Sequence, residues 1–204
     1  MSSPILKGVV LGEGRVGKTS ILKRYFNQKF DSGEASTINP AFYPKKVTLS
    51  DETKVEINFW DTAGQEMFSS LNKNYYQGAI AALLVYDVNT FNDTFGKVEK
   101  WAREITEVVG NDVIFAIAGN KFDLLKSKSE IDNQTQQVNN FCNKYKCRHF
   151  VTSAKSGYNI NEVFEFLINE MKKQYKPGKN KKKGLTITAE DHNSNSNNNK
   201  KGCC

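Results

Sequence analysis

Nine residues near the amino end, GEGRVGKTS at positions 12–20, have the types and the spacing of a phosphate-binding loop. An apolar run typical of a strand precedes them, and a segment with helical character follows them. Glycines let backbone N–H groups converge on one point, to which the following helix adds unpaired donors and the positive end of its dipole. We predict a nucleoside triphosphate site here. An ordinary glycine turn is the alternative, and the flanking strand and helix argue against it.

Two side chains of this loop have separate predicted tasks. Lys18 reaches the β- and γ-phosphates, and the Thr19 hydroxyl binds Mg²⁺, the expected cofactor. The predicted contacts of the loop with the nucleotide are Gly14, Arg15, Val16, Gly17, Lys18, Thr19 and Ser20.

A second polar motif, DTAGQ at positions 61–65, follows the apolar run 54–60. It supplies three groups that a phosphate site still needs. The Asp61 carboxylate can lie near the metal, the Gly64 amide can approach the γ-phosphate, and the Gln65 side chain can orient the attacking water. A strand that ends in a polar turn is the weaker alternative, given the phosphate loop upstream.

A third motif, NKFD at positions 120–123, indicates which base is bound. The Asp123 carboxylate can accept hydrogen bonds from the ring N1–H and the exocyclic N2 amine of guanine. Adenine has a lone pair at N1 and no amine at C2, and a site built around such a polar pair rejects the analogue lacking it by about 10⁴–10⁵-fold. We therefore predict GTP and GDP as ligands. The later triplet SAK, at 153–155, is by itself a weak signal.

Segments typical of strands and helices alternate along the chain. The six predicted strands are Ile5–Leu11, 43–49, 54–60, 79–87, 113–118 and 149–152. Helical spacing of apolar residues is found at 21–26, 95–109, 138–145 and 160–171. The expected fold is α/β, with a six-stranded, mostly parallel sheet, one antiparallel edge strand and about five helices. Ligands of such sheets bind at the carboxyl ends of the strands, where every motif named above lies.

Charge and composition divide the 204 residues into one domain, 1–175, and a tail, 176–204. The net charge is +7, and the tail holds seven lysines against two acidic residues. The domain is therefore nearly neutral, which argues against a nucleic-acid-binding face. The start does not resemble a signal peptide, and the longest apolar run, 79–86, is too short to span a bilayer. We expect a cytosolic domain.

The cysteines and histidines carry no predicted metal chemistry. Cys142 lies in an apolar stripe and is expected in the core. Cys147 and His149 have too few neighbouring nitrogen or sulfur donors to hold a metal. Two of the four cysteines close the chain, so they do not form a disulfide framework.

With these motifs, the chain is similar to Ras-like small GTPases of the Rab branch, from position 5 to about 175. The most specific marks are WDTAGQE at 60–66 and the terminal Cys203 and Cys204. The resemblance implies the P-loop NTPase fold of small G proteins. It also implies the hydrolysis of GTP to GDP and phosphate.

The resemblance assigns a role to each site residue. The implied catalytic residue is Gln65. The implied metal ligands are Thr19, Thr37 and, through water, Asp61. The residues implied around the base are Phe30, Asn120, Lys121, Asp123, Ser153, Ala154 and Lys155. Of these, Phe30 and Lys121 flank the guanine, and the Ala154 amide meets the base oxygen.

Two switch segments, 30–42 and 61–76, also follow from the resemblance. Thr37 and Gly64 can hold a γ-phosphate only while it exists, so hydrolysis releases both segments. Since no arginine has an obvious position to act in cis, we predict slow intrinsic hydrolysis, about 10⁻⁴ s⁻¹ as for Ras itself, and an arginine from a GTPase-activating protein. The other implied partners are an exchange factor, a GDP-dissociation inhibitor and effectors, and the chain is expected to be a monomer.

Some residues depart from the family pattern. Met67 replaces the family's usual arginine after Gln65 and Glu66, which affects partner recognition rather than chemistry, and Gln77 replaces a second common arginine. Arg15 stands where the family usually has a small or neutral side chain. Its charge near the phosphates would slow nucleotide release, and a position in solvent is the alternative. Ala41, before Phe42, replaces the acidic residue of most Rabs and resembles the early-endosomal subgroup.

The tail combines a basic run at 179–183 with an asparagine- and serine-rich stretch at 192–199, which predicts a disordered tether. Cys203 and Cys204 resemble the Rab ending that carries a geranylgeranyl group on each cysteine, and two lipid chains anchor stably. We expect a lipid-anchored switch in vesicle traffic on the cytoplasmic face of intracellular membranes, in particular endosomes, with a cytosolic pool. The rivals are a nucleotide kinase and a GTP-binding scaffold without hydrolysis.

Overall fold

The structure is a computed structural model that describes residues 5–33, 37, 40–48, 52, 54–62, 74–125 and 129–175, with the backbone alone for 129–133. The strands of this part of the chain are β1 (Ile5–Leu11), β2 (Ala41–Thr48), β3 (Lys54–Asp61), β4 (Ala81–Asp87), β5 (Ile114–Asn120) and β6 (Arg148–Val151). The helices are α1 (Lys18–Asn27), α2 (Phe91–Phe95), α3 (Val98–Val109), α4 (Ser129–Tyr145) and α5 (Ile160–Gln174). Two short 3₁₀ turns occupy Val88–Thr90 and Phe122–Leu124.

The strands form one sheet in the order β2-β3-β1-β4-β5-β6. β2 pairs with β3 in antiparallel orientation, and the other neighbouring strands pair in parallel. The predicted α/β fold with one antiparallel edge strand is therefore confirmed. Because the carboxyl ends of the parallel strands meet at one edge of the sheet, the residues that end β1, β3, β5 and β6 lie along that edge.

Successive side chains of the sheet pack into two cores on opposite faces. Leu6 of β1 packs with residues of α1 and α5, whereas Val9 packs with residues of α3 and α4. On the first face the rings of Tyr25 in α1 and Phe164 in α5 stack with centroids 4.0 Å apart. This stacking fixes the helix that follows the glycine-rich loop. Burial on both faces explains why the central strands are continuous apolar runs.

The helical spacing predicted over 95–109 covers two helices rather than one. A turn at Gly96 and Lys97 separates α2 from α3. Lys97 in this turn forms an ion pair with Glu13 of the glycine-rich loop, with 3.0 Å between Nζ and Oε2. The interruption therefore brings the start of α3 next to the loop.

β6 carries a histidine that burial keeps neutral. The Tyr86 hydroxyl lies 2.9 Å from His149 Nε2, and burial lowers the pKa of His149 to about 4. The unfolded chain takes up a proton at this histidine at about pH 6.5, whereas the folded chain does so at about pH 4. Stability is therefore lost as the pH falls through that window, because the unfolded state binds the extra proton.

We expect the free energy of unfolding to fall by about 2 kcal/mol more between pH 7 and about pH 5 in the parent than in His149→Gln. Glutamine keeps a hydrogen-bonding side chain near Tyr86 but does not titrate in this range. Urea titrations at the two pH values measure the difference. If the stability of the two proteins changed equally with pH, His149 would not be neutral in the folded chain.

Candidate functional site

The glycine-rich loop joins the end of β1 to the start of α1. Gly12 and Gly17 have φ angles of 146° and 95°, which residues with side chains rarely adopt. A Cβ at Gly12 would lie 2.2 Å from the Val85 carbonyl oxygen, and one at Gly17 would lie 2.4 Å from Asn120 Nδ2. Glycine is therefore needed at both positions because the loop packs tightly against the ends of β4 and β5.

The remaining loop residues differ in exposure. Gly14 and Arg15 are exposed at the tip of the loop, Val16 is buried, and Ser20 is partly buried in the first turn of α1. Arg15 has a φ of 63°, a left-handed conformation that is uncommon for residues other than glycine. Its side chain is exposed, and its predicted effect on nucleotide release stays a prediction.

Lys18, the first residue of α1, is a buried cation. Its side chain donates hydrogen bonds to the carbonyl oxygens of Gly12, at 3.0 Å, and Glu13, at 2.9 Å. The residue is 6% exposed, and burial lowers the pKa of Lys18 to about 8, against the opposing charges of Asp61 and Glu13. A desolvated ammonium group in a loop of converging amides is suited to a bound phosphate.

Three side-chain oxygens meet beside this lysine. Thr19 Oγ1 lies 2.5 Å from Thr37 Oγ1 and donates a hydrogen bond of 2.5 Å to Asp61 Oδ2. Asp61, at the end of β3, is fully buried. Hard oxygen donors gathered at one point are the ligands that Mg²⁺ prefers, so this donor set fits the predicted metal. When bound, Mg²⁺ would neutralise charge on the β- and γ-phosphates.

Asn120, at the end of β5, joins the phosphate side of the site to the base side. Its Nδ2 donates to the Val16 carbonyl oxygen at 2.9 Å, and its Oδ1 accepts from the Ala154 amide at 3.1 Å. Asp123 Oδ1 accepts a hydrogen bond of 2.5 Å from the Ser153 hydroxyl. The weak triplet after β6 is therefore hydrogen-bonded to the third motif and, through Asn120, connected to the phosphate loop.

Lys121 is held in place by a residue that the sequence motifs did not include. Its Nζ lies 2.7 Å from Oδ2 of Asp87, and the Asn89 side chain links Asp87 to the Lys121 carbonyl oxygen. Asp87 is buried at the carboxyl end of β4. A polar residue at that strand end was the available signal, since the other motif residues occupy equivalent positions on their strands.

Arg24 of α1 forms a second connection to the base side. Its Nε donates to the Ala154 carbonyl oxygen at 2.7 Å, and its Nη2 donates to that of Lys155 at 2.5 Å. Its guanidinium carbon also lies 6.0 Å from the ring centroid of Phe30, which is 36% exposed. The arginine therefore positions the triplet relative to the phosphate-binding helix. The motif spacings of the sequence give no indication of this contact.

We expect Arg24→Ala to release bound GDP about tenfold faster, because two hydrogen bonds that this charged, half-exposed side chain donates to the triplet are lost. Dissociation of a fluorescent GDP analogue measures the rate. Arg103→Ala is the matched control, since that arginine is exposed on α3 and pairs with Glu99. Equal release from the parent and Arg24→Ala would show that the contact does not position the base-binding triplet.

The structure brings the described members of the predicted site to one edge of the sheet. The predicted residues that lie outside the described part of the chain are Gly64, Gln65, Cys203 and Cys204. A glycine-rich loop between a central parallel strand and a helix, with a buried carboxylate at the next strand end, defines a P-loop nucleotide-binding protein.

Comparison with known proteins gives the family within this class. The profile of the Ras family matches residues 7–173. The chain is 41% identical over 165 residues to the GTP-binding protein YPT53 of Saccharomyces cerevisiae, which covers 79% of this chain and 74% of YPT53. It is 39% identical to the Ras-related protein Rab-21 of Mus musculus over 165 residues, 81% of this chain and 72% of that protein. The corresponding values for Rab-21 of Homo sapiens are 38%, 81% and 71%.

The chain therefore belongs to the Ras family of small GTPases. Relatives named as Rab proteins confirm the Rab-branch resemblance of the sequence. Hydrolysis of GTP is the activity of the family, so the expected enzyme class is confirmed as well.

Proposed function

We propose that the chain is a GTP/GDP switch whose GTP form recruits effector proteins to an intracellular membrane. One observation carries this proposal. Thr37 and Asp61 belong to the two predicted switch segments, and both side chains meet the Thr19 hydroxyl at the phosphate loop. A group bound at this point therefore contacts both segments at once.

The chemistry of the site explains why hydrolysis converts the GTP form into a form with both segments released. Lys18 and the loop amides bind the phosphates, and Gln65, four residues beyond Asp61, orients the attacking water. The Thr62 hydroxyl donates to the Val10 carbonyl oxygen at 2.8 Å and anchors the start of the second segment to β1. Loss of the γ-phosphate removes a shared partner of Thr37 and the second segment, and both are released.

An exposed aromatic surface supports recognition by protein effectors. Phe42 is 47% exposed, and its ring packs on Trp60 with centroids 5.1 Å apart. Trp60 packs in turn on Tyr75 at 5.3 Å, and the Lys7 ammonium lies 5.4 Å from the Trp60 ring centroid. The three rings connect the first segment to the second. A partner that binds these rings therefore contacts both segments. Aromatic residues are also enriched at protein interfaces.

Membrane attachment through the tail is part of the proposal. No helix among the described residues is long and apolar enough to cross a membrane. The proposed anchors are geranylgeranyl groups on Cys203 and Cys204, aided by the lysines of 179–183 near anionic lipid. Ala41 stands where most Rabs have an acidic residue and resembles the early-endosomal subgroup, so the proposed membrane is that of endosomes. The remaining proposed partners are an exchange factor, a GTPase-activating protein and a GDP-dissociation inhibitor, with the chain as a monomer.

Single-turnover hydrolysis tests the switch as an enzyme. We expect the purified chain to hydrolyse bound GTP at about 10⁻⁴ s⁻¹, the order of magnitude known for Ras. Gln65→Leu should hydrolyse it about 10–100-fold more slowly, because the attacking water loses its positioning group. Unaided turnover near one per second, or equal rates in parent and variant, would contradict the proposal.

A second experiment tests the membrane anchor. We expect the tagged Cys203→Ser/Cys204→Ser chain to move from the membrane to the cytosol.

A further inference from the structure

Two cysteines that the nucleotide site does not use face each other at the end of α4. Cys142 lies in the last turn of the helix, and Cys147 lies immediately before β6. Both are free and half-buried against the core, and their sulfur atoms are 3.4 Å apart. The sequence indicated a core position for Cys142 and no chemistry for Cys147. The structure brings them together as a dithiol.

The backbone between them holds this geometry. The Cys147 amide donates to the Cys142 carbonyl oxygen at 3.1 Å. Lys146 has a φ of 51°, and this left-handed residue turns the chain back towards the helix. Since both ends of the turn are fixed by a helix and a strand, the two thiols stay in contact without a large rearrangement.

The two sulfur atoms are chemically unequal. The Cys147 thiol donates its hydrogen to Cys142 Sγ. This hydrogen bond lowers the pKa of Cys142 and raises the pKa of Cys147, and burial raises the latter further. Cys142 is therefore the better nucleophile, because the thiolate is the reactive form, and Cys147 is the protonated partner beside it.

We propose that Cys142 and Cys147 form a reversible intramolecular disulfide, with hydrogen peroxide as the oxidant. The Cys142 thiolate attacks one peroxide oxygen, the O–O bond breaks, and water leaves with the thiol proton of Cys142 and one proton from the peroxide. Cys147 sulfur then attacks the sulfenic sulfur, the S–O bond breaks, and hydroxide leaves as water with the Cys147 proton. Two thiols lose two electrons, and one peroxide becomes two waters.

The pair lies away from the nucleotide. Cys147 precedes β6, whereas the base-binding triplet that starts at Ser153 follows it, and a four-residue strand is about 13 Å long. The disulfide should therefore form in the GDP-loaded protein as readily as in the free protein. This separation makes the modification independent of the proposed switch function.

Peptide mapping of the full chain loaded with GDP tests the proposal. Cys203 and Cys204 are both replaced by serine in this protein, so that terminal thiols do not exchange. Trypsin cleaves after lysine and arginine, which places Cys142 in peptide 129–144 and Cys147 in peptide 147–148. After peroxide treatment and alkylation, we expect these peptides to be joined, with the mass of two hydrogens lost. Dithiothreitol should separate them.

Two single variants distinguish the roles of the thiols. In Cys147→Ser, we expect Cys142 to stop at the sulfenic acid and to be trapped by a dimedone probe. In Cys142→Ser, we expect Cys147 to be alkylated about tenfold more slowly than Cys142 of the parent. Retained GDP binding shows that each variant is folded. Absence of the joined peptide in the parent, or equal alkylation rates of the two cysteines, would overturn the proposal.

Discussion

Asp123→Asn is expected to bind GTP and GDP about a thousandfold more weakly than the parent. The carboxylate is predicted to accept from guanine N1–H and N2–H, and two hydrogen bonds to a charged acceptor contribute about 4 kcal/mol. The asparagine amide would present a donor where guanine also has one. Xanthine carries a carbonyl oxygen at C2 instead, so affinity for xanthosine diphosphate should rise in the variant.

Titration calorimetry with guanosine and xanthosine diphosphates measures both changes. Asp112→Asn makes the same substitution in an exposed turn after α3 and should bind GDP as the parent does. Unchanged GDP affinity in Asp123→Asn, or weak binding without any gain for the xanthine nucleotide, would show that Asp123 does not contact the base.

Lys18→Met is expected to lower the affinity for GTP and GDP by about 10³-fold, because removing one partner of a buried ion pair costs about 3–5 kcal/mol. The stability of the nucleotide-free protein should change by about 1 kcal/mol or less. Methionine is similar in length, and it carries no charge that burial destabilises. The stability gained by removing this buried charge offsets the stability lost with the two hydrogen bonds to the carbonyl oxygens of Gly12 and Glu13.

Fluorescent GDP binding and urea unfolding of the nucleotide-free protein separate the two effects. Lys100→Met is the matched control, since that lysine lies on α3 with its side chain 46% exposed. A variant that loses stability and affinity together would indicate that Lys18 acts mainly through the fold of the loop.

Local patterns predicted the sheet, and the predicted site residues that the structure describes lie together at one edge of it. The apolar runs predicted the strands because burial on both faces leaves only apolar and aromatic side chains in β4 before Asp87, and each motif began where such a run ended. The position of each motif directly after a strand predicted that the motifs lie together, because the carboxyl ends of parallel strands meet at one edge of the sheet. There, Asp123 and Asn120 of the third motif accept hydrogen bonds from Ser153 and Ala154 of the later triplet, two segments that the sequence had placed at neighbouring strand ends.

Contacts between distant side chains and backbone atoms were not predictable in this way. Arg24 and Ala154 are 130 positions apart, and an arginine on a helix has no spacing rule that identifies a distant carbonyl as its partner. The Cys142–Cys147 contact depends on a left-handed turn at Lys146, a conformation that lysine rarely adopts. The division of the predicted helix at Gly96 likewise interrupts an apolar period that continues through the turn.

The switch itself is tested most directly by amide hydrogen exchange of the full chain bound to GDP or to a nonhydrolysable GTP analogue. With the analogue, the amides of both 30–42 and 61–76 should exchange more slowly than with GDP, while those of α5 should not change. Equal exchange of the two segments in both nucleotide states would contradict a γ-phosphate that holds them together.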